Sequence, residues 1–170
     1  GAPETCKQHV QLQLAWAYWH SHRNADAEAL YWEILDDDVL CWQALVDRAR
    51  MHLQSQFWNP ALCDLAQVLA MGKADADACN DLGVAHYESG DHASALAVFT
   101  EAIKQNPSHA AAISNRANCL KSQGKLREAE ADYTRAIELD GSNPKAFINR
   151  GTLLKDQGLT VRAHRDLEKA

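Results

Sequence analysis

No stretch of this 170-residue chain approaches the run of about 18 apolar residues that spans a bilayer. No basic flank leads into an apolar segment near the N-terminus, so the sequence shows no secretory signal. Its five cysteines (Cys6, Cys41, Cys63, Cys79 and Cys119) never fall at the close spacing of a zinc site or redox dithiol. An odd, scattered set suits buried thiols in a reducing compartment, and a cytoplasmic location is expected. A nucleophile motif, a glycine-rich phosphate loop and metal-ligand spacing are all missing. The histidines do not supply one. His20 and His22 point to different faces of a helix, and His52 and His86 recur at one core-type place. Asp36, Asp37 and Asp38 read as solvated turn acids. These absences argue against an enzyme and imply no cofactor and no metal. Catalysis is expected only from a domain joined to this one in a longer protein.

A continuous basic surface is also lacking. The net charge is −6, and residues 1–109 carry 6 Lys/Arg against 15 Asp/Glu. Residues 110–170 reverse the sign, with 11 against 8. That argues against general nucleic-acid binding and permits a protein partner with a charged end. Tryptophan is absent after residue 58: Trp16, Trp19, Trp32, Trp42 and Trp58 complete the set.

What is present is a strict period of 34 residues. Cut at Gln8, Trp42, Ala76, Ala110 and Pro144, the segments superimpose with no insertion. Place 8 is always small: Ala15, Ala49, Gly83, Ala117, Gly151. Place 20 is always alanine: Ala27, Ala61, Ala95, Ala129, Ala163. Place 24 is bulky: Tyr31, Leu65, Phe99, Tyr133, Leu167. A fixed period of this length means stacked units, each burying an apolar face against its neighbours. The expected division is a short extension or tag remnant over 1–7, then one array over 8–170. Its repeats are 8–41, 42–75, 76–109, 110–143 and an incomplete 144–170.

Each repeat should form one helix over about places 1–14 and another over about 17–30. Gly90, Gly124 and Gly158 stand where the first helix must stop. Asn59-Pro60 reads as a helix start with asparagine as cap, and Thr160 as the cap of the last helix. Places 4, 7 and 11 are expected to form an apolar stripe on the first helix.

The segments Asp81 to Leu96, with Phe99, Ala102 and Pro107, and Asn115 to Ala129 resemble the tetratricopeptide repeat. The likeness covers everything after residue 7. It is weaker in the first two repeats, where His22 and Gln56 replace the turn glycine and Val39 and Lys73 the closing proline. The resemblance implies an all-α, right-handed superhelical solenoid of helix–turn–helix repeats. It also implies a concave groove where an extended peptide of a partner protein binds.

Carried onto this chain, the groove is aromatic first, then acidic, then amide and basic. Asn115, Asn118 and Asn149 make an amide ladder able to donate to and accept from a peptide backbone. Asn115 and Asn149 match the place of the asparagine ladder in O-linked N-acetylglucosamine transferase. Lys121, Lys145 and Lys155 should attract acidic residues, and Asn80 and Asp81 extend the site. A co-chaperone carboxylate clamp is matched only by Lys145 and Asn115; Asn80, Val84 and Asn149 depart from it, leaving one cation for the tail. A second interface is expected at Trp16 and Trp19, which otherwise cover the end of the core. The incomplete last repeat implies an uncapped edge and self-association. The sequence therefore points to a non-catalytic protein-binding scaffold, with an assembly element as the alternative. It is expected to bind no nucleic acid and no membrane.

Overall fold

The computed structural model describes residues 2–170, with side chains from Lys7 onward. Gly1 and the side chains of residues 2–6, including the Cys6 thiol, lie outside the described residues. Among those described the chain is all-α, with ten helices and no strand. They fall into two units, one ending at Ala74 and the other spanning Asp75–Ala170.

In the first unit α1 (Ala2–His20) pairs with α2 (Asn24–Asp37), and α3 (Trp42–Gln54) with α4 (Trp58–Ala70). In the second, α5 (Ala76–Glu88) pairs with α6 (His92–Gln105), and α7 (Ala110–Ser122) with α8 (Leu126–Leu139). The last pair is α9 (Pro144–Asp156) and α10 (Thr160–Leu167). Within each unit the first helix of one pair also packs on the first helix of the next.

The small places let the helices of a pair close on one another. Ala15, Ala27, Ala49, Ala61, Ala95, Ala117 and Ala129 are all fully buried. Place 8 is matched to the side chain at place 24. Beside Phe99, a Cβ on Gly83 would sit 2.5 Å from the ring, so only glycine fits. Where place 24 is Tyr31, Leu65 or Tyr133, place 8 is alanine. Each of these large side chains is at most 1% exposed. Burying one contributes about 1.5–3 kcal/mol.

Every pair turns the same way. The second residue after the first helix adopts a left-handed conformation, and the next amide donates back to the carbonyl five residues earlier. Gly90, Gly124 and Gly158 hold this place with φ of 90°, 75° and 78°. In the first unit His22 and Gln56 hold it, at φ 60° and 61°. The backbone bonds are kept, as in Phe57 N–H to His52 O at 2.9 Å, so the turn tolerates a side chain at a steric cost.

Three expectations are corrected. Helix α4 starts at Trp58 with Phe57 as N-cap, so Asn59 and Pro60 lie inside its first turn. Thr160 is the first residue of α10, behind Leu159 as N-cap, and its hydroxyl caps nothing. Place 7 is not apolar throughout. Arg48, Arg116 and Arg150 occupy it, each making two bonds to an aspartate at place 23 of the same repeat. The Nη2–Oδ1 distances are 2.7 Å to Asp64, 2.8 Å to Asp132 and 2.7 Å to Asp166. Two parallel charge-assisted bonds let an arginine replace a leucine inside the pair.

Candidate functional site

In the second unit, helices α5, α7 and α9 carry the amides. Asn115 Nδ2 donates to Asn80 Oδ1 at 3.0 Å, joining α7 to α5. Asn149 Nδ2 donates to Asn118 Oδ1 at 3.3 Å, joining α9 to α7. The Tyr133 hydroxyl, on α8, donates to the same Asn118 oxygen. Burial pushes the Tyr133 pKa up, so the hydroxyl keeps its proton and remains a donor. All four asparagines are half-buried. Asn115 Oδ1, Asn149 Oδ1 and Asn118 Nδ2 are left without a partner among the described residues. The internal bonds fix the amides while two acceptors and a donor face outward. That is the complement of an extended main chain, which also alternates donors and acceptors.

Lys121 stands on α7 and Lys145 and Lys155 on α9, two of the helices that carry the amides. Lys121 Nζ lies 3.6 Å from Asp156 Oδ2. Lys145 and Lys155 are exposed and form no ion pair among the described residues. Asp81 is half-buried on α5 beside Asn80. His109 caps α7: its Nδ1 accepts from the Ala112 amide at 3.2 Å. Its Nε2–H therefore donates to Asp77 Oδ1, at 3.0 Å.

The tryptophans of the first unit separate. Trp16 is 48% exposed and stacks on His20 with ring centroids 3.8 Å apart. Trp19 is buried, and its Nε1–H donates to Gln54 Oε1 on α3 at 2.8 Å. Trp19 is therefore a packing residue. It does not share an exposed face with Trp16, because the indole N–H finds its acceptor on the next helix pair. Cys41, Cys79 and Cys119 are buried thiols, and burial pushes the Cys119 pKa up to about 11. Such thiols are inert rather than reactive. Cys63 is exposed. Among the described residues, no group of His, Cys, Asp or Glu is placed to hold a metal ion. No described helix is long and apolar enough to cross a membrane.

Sequence reasoning missed Tyr133, reading place 24 as bulk alone. The signal was the pairing of a tyrosine there with an asparagine at place 9, Asn118, in one repeat. Where place 9 is Trp16, the matching Tyr31 hydroxyl is buried without a partner. The Arg–Asp pairs were missed as well, although arginine at place 7 and aspartate at place 23 occur together in the same three repeats.

A family model described as "Tetratricopeptide repeat" matches residues 60–110 and 80–146, which together make up half of the chain. No curated protein matches the sequence. Several solved structures share the fold. YrrB, described as a TPR protein with an unusual peptide-binding site, is 21% identical with a TM-score of 0.79. The match covers 99% of this chain and 88% of that one. A MamA structure is 18% identical with a TM-score of 0.83, over 95% of this chain and 88% of that one. A thermophilic TPR protein from Thermus thermophilus, TTC0263, is 22% identical with a TM-score of 0.74, over 96% and 91%. At these identities the likeness is one of fold.

Proposed function

Because the chain belongs to the tetratricopeptide repeat family, we propose that it is a non-catalytic scaffold that grips an extended segment of a partner protein. The site is the amide network of the second unit. Asn115, Asn118 and Asn149 hold the segment's main chain, with Asn80 and Asp81 at one end. Lys145 and Lys155 draw acidic side chains toward it, and Lys121 exchanges Asp156 for such a side chain. The observation that supports this reading most is the set of amide atoms fixed by neighbours yet left outward-facing. The peptide-binding site named for YrrB is in keeping with it. A carboxylate clamp is a poorer fit, because Lys145 would be its single cation. Buried thiols at Cys41, Cys79 and Cys119 suit a reducing, cytoplasmic setting.

The test is a pull-down from cell extract comparing the native chain with Asn115→Ala/Lys145→Glu/Asn149→Ala. Proteins held by the native chain and released by the variant place binding at the amides. The same proteins on both would remove the groove from consideration.

A second reading, self-assembly, draws on exposed apolar residues in the last helix pair: Val161 is 76% exposed and Leu167 44%. Trp16 offers another such surface. Sedimentation that shifts with concentration in the absence of peptide would favour this reading over the groove.

A further inference from the structure

The two amide pairs of the second unit differ in what stands behind them. Asn118 Oδ1 accepts from both the Tyr133 hydroxyl and Asn149 Nδ2. Tyr133 is fully buried, and its hydroxyl has no other acceptor among the described residues. Burial also keeps the phenol protonated. With the Asn118 amide turned over, Nδ2 would meet the hydroxyl and the phenolic proton would be stranded. A buried donor without a partner is costly, so the hydroxyl settles which end of that amide points inward. Asn118 settles Asn149 in turn, because only a donor can face its oxygen. Asn118 Nδ2 and Asn149 Oδ1 are then left for a ligand.

The Asn115–Asn80 bond has no hydroxyl behind it, since Phe99 stands at the place of Tyr133 in that repeat. Turning both of its amides over restores the same bond with donor and acceptor exchanged. In the first unit Tyr31 holds the place, but Trp16 stands where Asn118 does and offers no side-chain acceptor. The Tyr31 hydroxyl is accordingly buried unpaired.

We infer, resting on the amide site proposed above, that Tyr133 is a positioning residue that fixes the donor–acceptor order of Asn118 and Asn149 and so makes the site require a main-chain N–H in the bound segment. In an extended segment the C=O and N–H of one residue point the same way. The carbonyl accepts from Asn118 Nδ2, and the N–H donates to Asn149 Oδ1. A residue without an N–H leaves that oxygen unpaired, so proline is rejected at this point of the segment. The occupant is an extended segment with a residue other than proline there.

The test starts from peptides selected out of a displayed random library on the native chain. The tightest is then synthesised with an N-methyl group on each residue in turn. One N-methylation should weaken binding to the native chain at least about tenfold. On Asn149→Ala and on Tyr133→Phe the same N-methylation should cost no more than about threefold. The first variant lacks the acceptor; in the second the pair is free to reverse. A thermal melt checks that Tyr133→Phe is folded at the assay temperature. A penalty lost with Asn149→Ala but retained with Tyr133→Phe keeps the amide site and overturns the role of Tyr133. Binding that Asn115→Ala/Asn149→Ala weakens, yet no single N-methylation disturbs, overturns the required N–H. Peptides held equally by that double variant and the native chain overturn the amide site itself.

Discussion

The unit ending at Ala74 and the unit from Asp75 are built on the same repeat places but reach stability by different local means. In the second, the tight turns use Gly90, Gly124 and Gly158. Asp75, Asp91, His109 and Asn143 cap helices with their side chains, and the Tyr133 hydroxyl finds Asn118. In the first, His22 and Gln56 hold the left-handed turns. None of α2, α3 and α4 has a side-chain cap, and the Tyr31 hydroxyl is buried unpaired. What both keep is the buried alanine at place 20 and the matched pair at places 8 and 24. Close interhelical packing thus carries the fold, while side-chain caps and glycines at the turn inside a helix pair add increments that the described residues of the first unit do without.

The largest test of this contrast lies in the buried ion pairs. Asp64→Ala should cost about 3–5 kcal/mol, because it strands a buried arginine. Asp132→Ala should cost less, since the Arg116 side chain is 22% accessible against 9% for Arg48 and can recruit water. Denaturant midpoints of the two variants rank them; equal losses would mean that solvent access does not govern these pairs.

A smaller effect is expected at the turns. Gly124→Ala should lose about 1–2 kcal/mol by forcing a side chain into the left-handed region. Gln56→Gly should gain about 0.5–1 kcal/mol, the steric relief being partly offset by the added freedom of the unfolded chain. A Gln56→Gly variant that melts lower than the native chain would show that the side chain at that place does something the backbone geometry does not reveal.

The smallest contrast is between two tyrosines. Tyr133→Phe removes a buried hydrogen bond and leaves Asn118 with one donor fewer, a loss of about 1 kcal/mol. Tyr31→Phe removes a hydroxyl that has no partner and should be neutral or stabilising. Thermal melts of both variants decide it, and equal losses would contradict the difference drawn between the units.

The phase of the repeat was enough to place the helices. Small residues at places 8 and 20 can recur at that period only if paired helices approach closely there. Side-chain choices within the frame were less legible. Arg48, Arg116 and Arg150 hid in a stripe read as apolar, because a bidentate aspartate sixteen residues away makes arginine acceptable inside a pair. Asn59-Pro60 imitated a helix start, but proline is equally tolerated within the first turn, and the turn at Gln56 fixed the true boundary. Trp16 and Trp19 looked alike on spacing, since nothing in the sequence shows that Gln54 accepts the Trp19 indole. The asparagines were identifiable from repeat place, whereas their mutual hydrogen bonds depend on the rotation between neighbouring pairs.

A partner segment held, as proposed, by the amides and lysines of the second unit must bind with an affinity that depends on charge. The most direct measurement is the affinity of a captured segment across a salt series, on the native chain and on Lys145→Ala/Lys155→Ala. Binding should weaken as salt rises, and the lysine variant should bind more weakly with a shallower dependence. An affinity indifferent both to salt and to the loss of the lysines would contradict it.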